Sequence, residues 1–400
     1  MMRYLMVLVP FIPIFAAWEP IGPYGGYVRA MAVAPSNEKI VYGATYSYPA
    51  SVVRSTDGGI TWEKVGTISF YVRSMAVDPN NPDIVYAGSY RKVYKSTNGG
   101  RTWSSYSVGS SYIYDLEVHP DSPSTVFAVG QHIYNSKYVM GFFKSTNGGV
   151  SWVSVALTTN SGVSRALAID PSDPDIIYVG GYTTQAKIFK STDGGAHFVD
   201  VSNGLSSSVY ALAVNPSNSN IVYAGTYSGG IYRTTDGGSS WSKVSSYSYI
   251  YSLATTEANS NVVYAGGSGV VYKSTNSGSS WFETGAGIEG KSIYGLAVAK
   301  SSASVVLAGN NVGFFRTTNG GNGWEFSCNG MNIANLLCFS LAPADPKIIY
   351  SSCEDMGIYK STDSGLSWKQ LPTPLSCGDI CGFAIHNTNP NIVLALEGSG

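Results

Sequence analysis

The sequence predicts an all-β fold, a β-propeller of four-stranded antiparallel blades with eight complete repeats and a partial ninth. Three observations predict it. The segment STDGGITW at residues 55–62 returns seven more times, at spacings of 40 to 49 residues. A second segment, MAVDPNNPDIVYAGS at 75–89, recurs in step with it. β-branched and aromatic residues alternate with Asn-Gly and Asp-Gly pairs, and no helical period intervenes. A repeat in the forties that carries four short strands is a propeller blade.

The elements follow in order within one unit. Residues 71–77 (YVRSMAV) give the first strand and Pro79 to Asp83 a turn; residues 84–89 (IVYAGS) give the second strand and 92–97 (KVYKST) the third. The pair Gly99 and Gly100 closes a hairpin into the fourth strand, 102–108. Glycine supplies positive φ without a Cβ clash, while Asp or Asn bonds back to nearby amides, so the box is a turn-forming device. Its terminal aromatic is large enough to pin the hairpin to its blade. Seven of the eight tryptophans are used this way, so the box is an architectural element of every unit.

These segments resemble the Asp-box, or BNR-repeat, β-propellers, whose signature S-x-D-x-G-x-x-W they match almost residue for residue across residues 18–400. That superfamily includes sialidases, xyloglucan-degrading glycoside hydrolases, sortilin-type receptors and photosystem II assembly factors. The resemblance implies a fold, and leaves the chemistry to be argued from a site. The Asp position reads Asp57, Asn98, Asn147, Asp193, Asp236, Asn276, Asn319 and Asp363. An amide is neither a general base nor a nucleophile, so the box is structural.

The ends carry a further expectation. Residues from Trp18 align with those from Trp62, so a lone fourth strand opens the mature chain. Residues 383–398 supply two strands of a ninth unit and no ninth box. Either the sequence is a fragment of a longer protein, which the odd cysteine count favours, or the ring closes without a third strand there. A second propeller in tandem is the corresponding alternative if more chain follows.

Composition bounds the partners. Charged residues are 12% and the net charge is −1, with no basic run, which argues against a nucleic-acid partner. Arg3, an apolar run from Leu5 to Phe15, then Ala16 and Ala17 read as a secretory signal over residues 1–17, too short and too proline-broken to span a bilayer. Secretion follows, with an extracellular protein or glycan as partner. The five cysteines lack a C-x-x-C pair and the four histidines are scattered, so no metal or cofactor is expected and local disulfides are.

Aligned first strands give one column, two residues before the Met or Leu, that reads Arg29, Arg73, Tyr114, Arg165, Tyr210, Tyr251, Tyr294, Phe339 and Cys381, of which the seven Arg and Tyr are the candidate ligand contacts. Beside it runs a column of short side chains, including Ala30, Ser74 and Asp115. The Arg/Tyr column is expected at a channel mouth, either as a ligand rim or as packing between blades. Loop tyrosines Tyr90, Tyr182 and Tyr227 are candidate contacts on the same face, opposite the boxes. Tyrosine faces stack on sugars or peptide and arginines hold anions.

A glycoside hydrolase needs two placed carboxyl groups. Acids on the ligand face are few, with Glu354 and Asp355 the weak catalytic candidates and Asp115, Glu289 and Asp379 behind them. The loop ATYSYPASV of the first blade has no acid where xyloglucanases carry a catalytic Asp, and GGYVRAM lacks the sialidase F/Y-R-I-P signature. The sequence therefore favours a secreted, non-catalytic scaffold for a protein or glycan, with a xyloglucanase-like or sialidase-like hydrolase as the alternative.

Overall fold

The computed structural model describes residues 27–288, 292–327, 336–353, 357–364, 368–371 and 380–397. The signal segment, Glu289, Glu354, Asp355, Asp379 and the cysteine side chains lie outside the described residues. Among those described there is no helix, and strands follow one another antiparallel in sequence order.

The first blade holds strands Val28–Ala34, Asn37–Thr45, Ala50–Ser55 and Glu63–Ile68. Six more four-stranded units follow, with innermost strands ending at Val77, Val118, Ile169, Asn215, Thr255 and Ala299. One departure from the sequence reading is the strand Ser104–Val118, which serves as fourth strand of the second blade and first strand of the third. Two blades are thereby fused into one seven-stranded sheet.

The core is distributed as wedges between neighbouring blades. One wedge joins Tyr42, Val52 and Ile68 of the first blade to Met75, Val85 and Ala87 of the second. The repeated Tyr of the second strand explains itself here. Tyr42, Tyr86, Tyr178, Tyr223 and Tyr264 are fully buried. Four of their hydroxyls donate to a carbonyl of the next blade: Tyr42 to Pro82 (2.8 Å), Tyr86 to Gly148 (3.3 Å), Tyr178 to Gly237 (3.1 Å) and Tyr264 to Ala303 (2.8 Å). Tyr223 instead accepts from Asn215 at 3.2 Å. A buried hydroxyl must be paired, and here its partner welds two blades.

A cation on the third strand makes a parallel latch to the next box turn. Lys95 donates to the Gly148 carbonyl, Lys144 to Gly194, Lys190 to Gly237 and Lys273 to Gly320, all within 2.8 to 3.1 Å. In the seventh blade Arg316 takes the role, and its Nε donates to the carbonyl of Gly58, in the first blade, at 3.1 Å. Trp62 stacks on Phe314 with ring centres 3.9 Å apart and donates to the Ser327 carbonyl at 2.6 Å. Val28, Val41 and Val53 share a core wedge with Leu307 and Phe314. The ring therefore closes between the first and seventh blades.

The sequence left the ring, a fragment and a tandem propeller as alternatives; this closure leaves the last two units outside the ring. The eighth four-stranded unit, from Leu336–Ala342 to Lys369–Gln370, continues the series beyond the closed ring, and Ile380–Ile385 with Val393–Glu397 forms a two-stranded ninth unit. Tyr350 donates to the Pro390 carbonyl and Lys360 to Asn391, both at 2.8 Å, so these two sheets are latched to each other. The box counts repeats. Which two blades meet is decided by the seam residues Phe314, Arg316 and Ser327, which have no signature of their own.

Inside the box, hydrogen bonds from the side chains hold the turn. The Asp57 carboxylate accepts from the Ile60 and Thr61 amides (3.0 and 2.9 Å) and from the Thr61 hydroxyl (2.6 Å), while Ser55 Oγ accepts from the Gly59 amide (2.8 Å). In the Asn98 box the side-chain oxygen still takes the Thr102 amide (2.9 Å), and the amide nitrogen donates to the Thr102 hydroxyl (2.8 Å). The bond with the threonine hydroxyl reverses direction, and the threonine amide keeps its acceptor.

Candidate functional site

All seven members of the Arg/Tyr column line one cavity of about 210 Å³ at the mouth of the channel. Backbone geometry puts them there. Strand pairing skips Arg29, Tyr114, Arg165 and Tyr210, each standing in a register shift of its innermost strand. A bulge re-aims the extra side chain. Here it turns that side chain into the lumen, which alternation along an ideal strand does not forecast.

The side chains form a closed collar. The Arg29 guanidinium lies 4.9 Å from the ring centre of Tyr294 and 4.6 Å from Tyr46. Arg73 donates to the Tyr46 hydroxyl at 2.8 Å and sits 4.1 Å from Tyr112 and 5.2 Å from Tyr114. Arg165 is held between Tyr114 (4.6 Å) and Tyr210 (4.4 Å). Tyr210 meets Tyr251 edge-on at 6.1 Å, and Tyr251 meets Tyr294 at 5.3 Å, which completes the circle. Each cation–π contact contributes about 0.5–2 kcal/mol according to its desolvation. Burial raises the phenol pKa of both Tyr210 and Tyr251, so their hydroxyls stay protonated at neutral pH.

Loop tyrosines extend the collar outward. Tyr182 stacks parallel to Tyr210 at 6.4 Å and Tyr227 lies 5.4 Å from it, so both join the mouth. Tyr90 stands apart from the cavity wall, stacked on Phe70 at 5.6 Å and reaching the collar through Tyr112. Tyr249 holds a left-handed backbone, φ 59°, with its amide donated to the Tyr227 carbonyl at 2.7 Å. A bulky residue there is strained, and such strain concentrates at working surfaces.

Beneath the collar the third blade differs from the other six. Asp115 stands in the short-residue column, and Glu117 occupies a position that is alanine in every other blade of the ring: Ala32, Ala76, Ala168, Ala213, Ala254 and Ala297. Both acids line the same cavity. Asp115 accepts from the Leu116 amide and, across the seam, from the Leu167 amide, both at 2.9 Å. Glu117 is exposed to the water of the lumen, within the wall of the channel. Burial pushes the Asp115 carboxyl up to about 7 despite its two amide donors. Burial and then the Asp115 charge push Glu117 up to about 8. The break in the alanine column is the sequence signal that points to Glu117.

The described residues contain no cluster of acids, histidines and cysteines fit for a metal ion, and no helix long and apolar enough to cross a membrane. The Sortilin-Vps10 family model (sortilin, neurotensin receptor 3) matches residues 50–186, about a third of the chain. A GH74 enzyme of Niastella koreensis superposes with a TM-score of 0.64 at 18% identity, over 94% of this chain and 70% of that one.

The fold is that of an Asp-box β-propeller. A GH74 xyloglucanase from Xanthomonas campestris superposes on the propeller with a TM-score of 0.64 at 15% identity, over 91% of this chain and 70% of its own. YCF48, solved bound to a D1 peptide, gives 0.53 at 15% identity over 74% of this chain and 94% of its own. At these identities the likeness shows architecture alone. No curated protein matches the propeller in sequence.

Proposed function

We propose that this propeller is an exported, non-catalytic binding module that holds a glycan or protein partner on the channel mouth. The observation that carries the reading is the closed collar of Arg29, Arg73, Tyr114, Arg165, Tyr210, Tyr251 and Tyr294, a concave site of flat aromatic faces and fixed donors. Tyr182 and Tyr227 widen it, and Tyr90 lies on its outer approach. Export rests on the leader-like composition of residues 1–17. Architecture alone supports either partner class, since one neighbour is a xyloglucanase and another was solved with a peptide. A glycan array and a peptide array probed with the mature protein test the reading. Arg165→Ala and Tyr210→Ala are expected to weaken whichever ligand binds by at least about tenfold, the scale of a cation–π or stacking contact combined with a charge-assisted hydrogen bond. Unaltered binding in both variants would move the site elsewhere.

The second reading, glycoside hydrolysis, is favoured by the two acids with raised pKa in the same cavity. Their placement opposes it. Residues 115 and 117 lie two apart on one strand, so both carboxyls rise from one wall, whereas hydrolysis needs a carboxyl on each side of the scissile bond. Both Asp115 oxygens are also held by amides. Sugar release from a polysaccharide panel, abolished by Glu117→Gln, would establish the hydrolase.

A further inference from the structure

The cavity carries opposite charges at two depths. Its mouth presents Arg29, Arg73 and Arg165, and its only other charged lining residues, among those described, are Asp115 and Glu117. At a rise near 3.3 Å per residue, Glu117 stands about 10 Å deeper along its strand than the collar residue Tyr114. None of the three arginines forms an ion pair among the described residues. The Nε atoms of Arg73 and Arg165 are buried without a hydrogen-bond partner. Tyrosine faces sandwich the guanidinium planes and fix them, leaving in-plane N–H edges to meet an acceptor.

We propose that the mouth binds a carboxylate-bearing glycan, a chain of hexuronate units, and that protonation of Asp115 and Glu117 beneath it sets the affinity. The proposal rests on the mouth being the binding seat. Carboxylates match the three guanidinium groups, none of which is ion-paired among the described residues, and the C–H faces of pyranose rings match the phenol faces of the exposed Tyr227 and the half-buried Tyr182. An extended peptide fits less well, because the backbone amides of the mouth are already donated. Tyr46 N–H goes to Tyr27, Arg73 N–H to Gly88, Tyr227 N–H to Ser208 and Tyr251 N–H to Gly266. A peptide added as a strand needs such groups free.

The charged groups facing the two acids from the other innermost strands are the three arginines, above them. With both acids neutral the mouth is purely cationic. With both ionised, two negative charges oppose the bound carboxylate, Glu117 from about 10 Å and Asp115 from nearer the collar, each weakening it on the order of tenfold or more in a medium of intermediate dielectric. Burial sets the pKa of the pair at about 7 and about 8, so this change spans the neutral range. Hexuronate carboxyls remain ionised throughout it. Affinity therefore rises as pH falls.

Calorimetric titration of the mature protein with a galacturonate oligosaccharide, at about pH 5.5 and about pH 8.5, tests this. Expected is a loss of affinity of about tenfold or more between the two, a flatter profile in Glu117→Gln and in Asp115→Asn, and loss of binding in Arg165→Ala. A neutral galactose oligosaccharide and a polyglutamate peptide are titrated in parallel. Binding of either at the collar without the galacturonate overturns the hexuronate assignment and leaves the binding module standing. Galacturonate binding with one pH profile in the wild type and both acid variants overturns the protonation control. Binding of none of the three probes overturns the proposal, and the binding module then stands or falls on the glycan and peptide arrays.

Discussion

At the scale of single residues, the box Asp is interchangeable with Asn because the acceptor that holds the turn is common to both. Asp57→Asn is expected to change unfolding free energy by less than about 0.5 kcal/mol, and Asp57→Ala to cost about 1–2 kcal/mol, since the Ile60 and Thr61 amides lose their acceptor. Chemical denaturation of the two variants separates these outcomes. Trp62 is another matter: buried on Phe314 with its indole N–H paired, it should cost about 3–5 kcal/mol on replacement by alanine. Asp115 and Glu117 give a pH prediction of definite sign. Their folded-state pKa values are raised, so the stability they contribute is complete below the ordinary carboxylate range and is lost as pH rises through about 7 and about 8. A melting midpoint that falls over this interval in the wild type, and falls less in Glu117→Gln, is the expected record.

At the scale of elements, the box hairpin and the innermost strand differ in how much the sequence disclosed. The hairpin was legible because Ser55, Asp57, Gly59 and Trp62 act within eight residues, and a Ser or Thr hydroxyl bonded to the Asp or Asn oxygen recurs in all eight boxes. Gly59 adds a long-range demand that the motif does not announce. It holds φ +82°, and a Cβ there would come within 2.7 Å of Leu307 in the seventh blade. Gly59→Ala is expected to cost about 1–3 kcal/mol through backbone strain and the displaced leucine, measured by denaturation. The innermost strands were legible as a column and not as a geometry. Arg29, Arg73 and Arg165 were expected either at a rim or between blades; the register shifts that turn Arg29 and Arg165 into the lumen depend on pairing with the second strand, a contact made after local structure forms. Tryptophan placement shows the same limit. Trp241 and Trp324 donate to the Val201 and Thr284 carbonyls of the preceding blade, whereas Trp103, Trp152 and Trp281 donate to their own box glycines. One motif supports two settings, chosen by the neighbouring blade.

At the scale of the whole molecule, ring size was the quantity the repeat could not give. Eight boxes count eight units, yet seven blades close the circle, because closure depends on how neighbouring wedges pack rather than on how many boxes are written. The closing seam has a latch from each side, Arg316 to Gly58 and Trp62 to Ser327. A chain ending at residue 327 is therefore expected to retain a cooperative melting transition and the channel collar, tested by calorimetry and by ligand titration. Arg316→Met should loosen this seam selectively, with faster amide exchange in the first and seventh blades than in the fourth. The seam also has a consequence for connectivity. Since the amide of Val28 already donates to the Asn310 carbonyl at 2.8 Å, and Ser327 lies against Trp62 of the same blade, both ends of the ring meet the first blade, one at its innermost strand and one at its box hairpin. Nothing in the latches distinguishes where the polypeptide starts. A linker joining those ends, with new termini opened in an exposed loop, would yield a circular permutant carrying the same channel, and the order of the blades along the gene would become a matter of history rather than of mechanics.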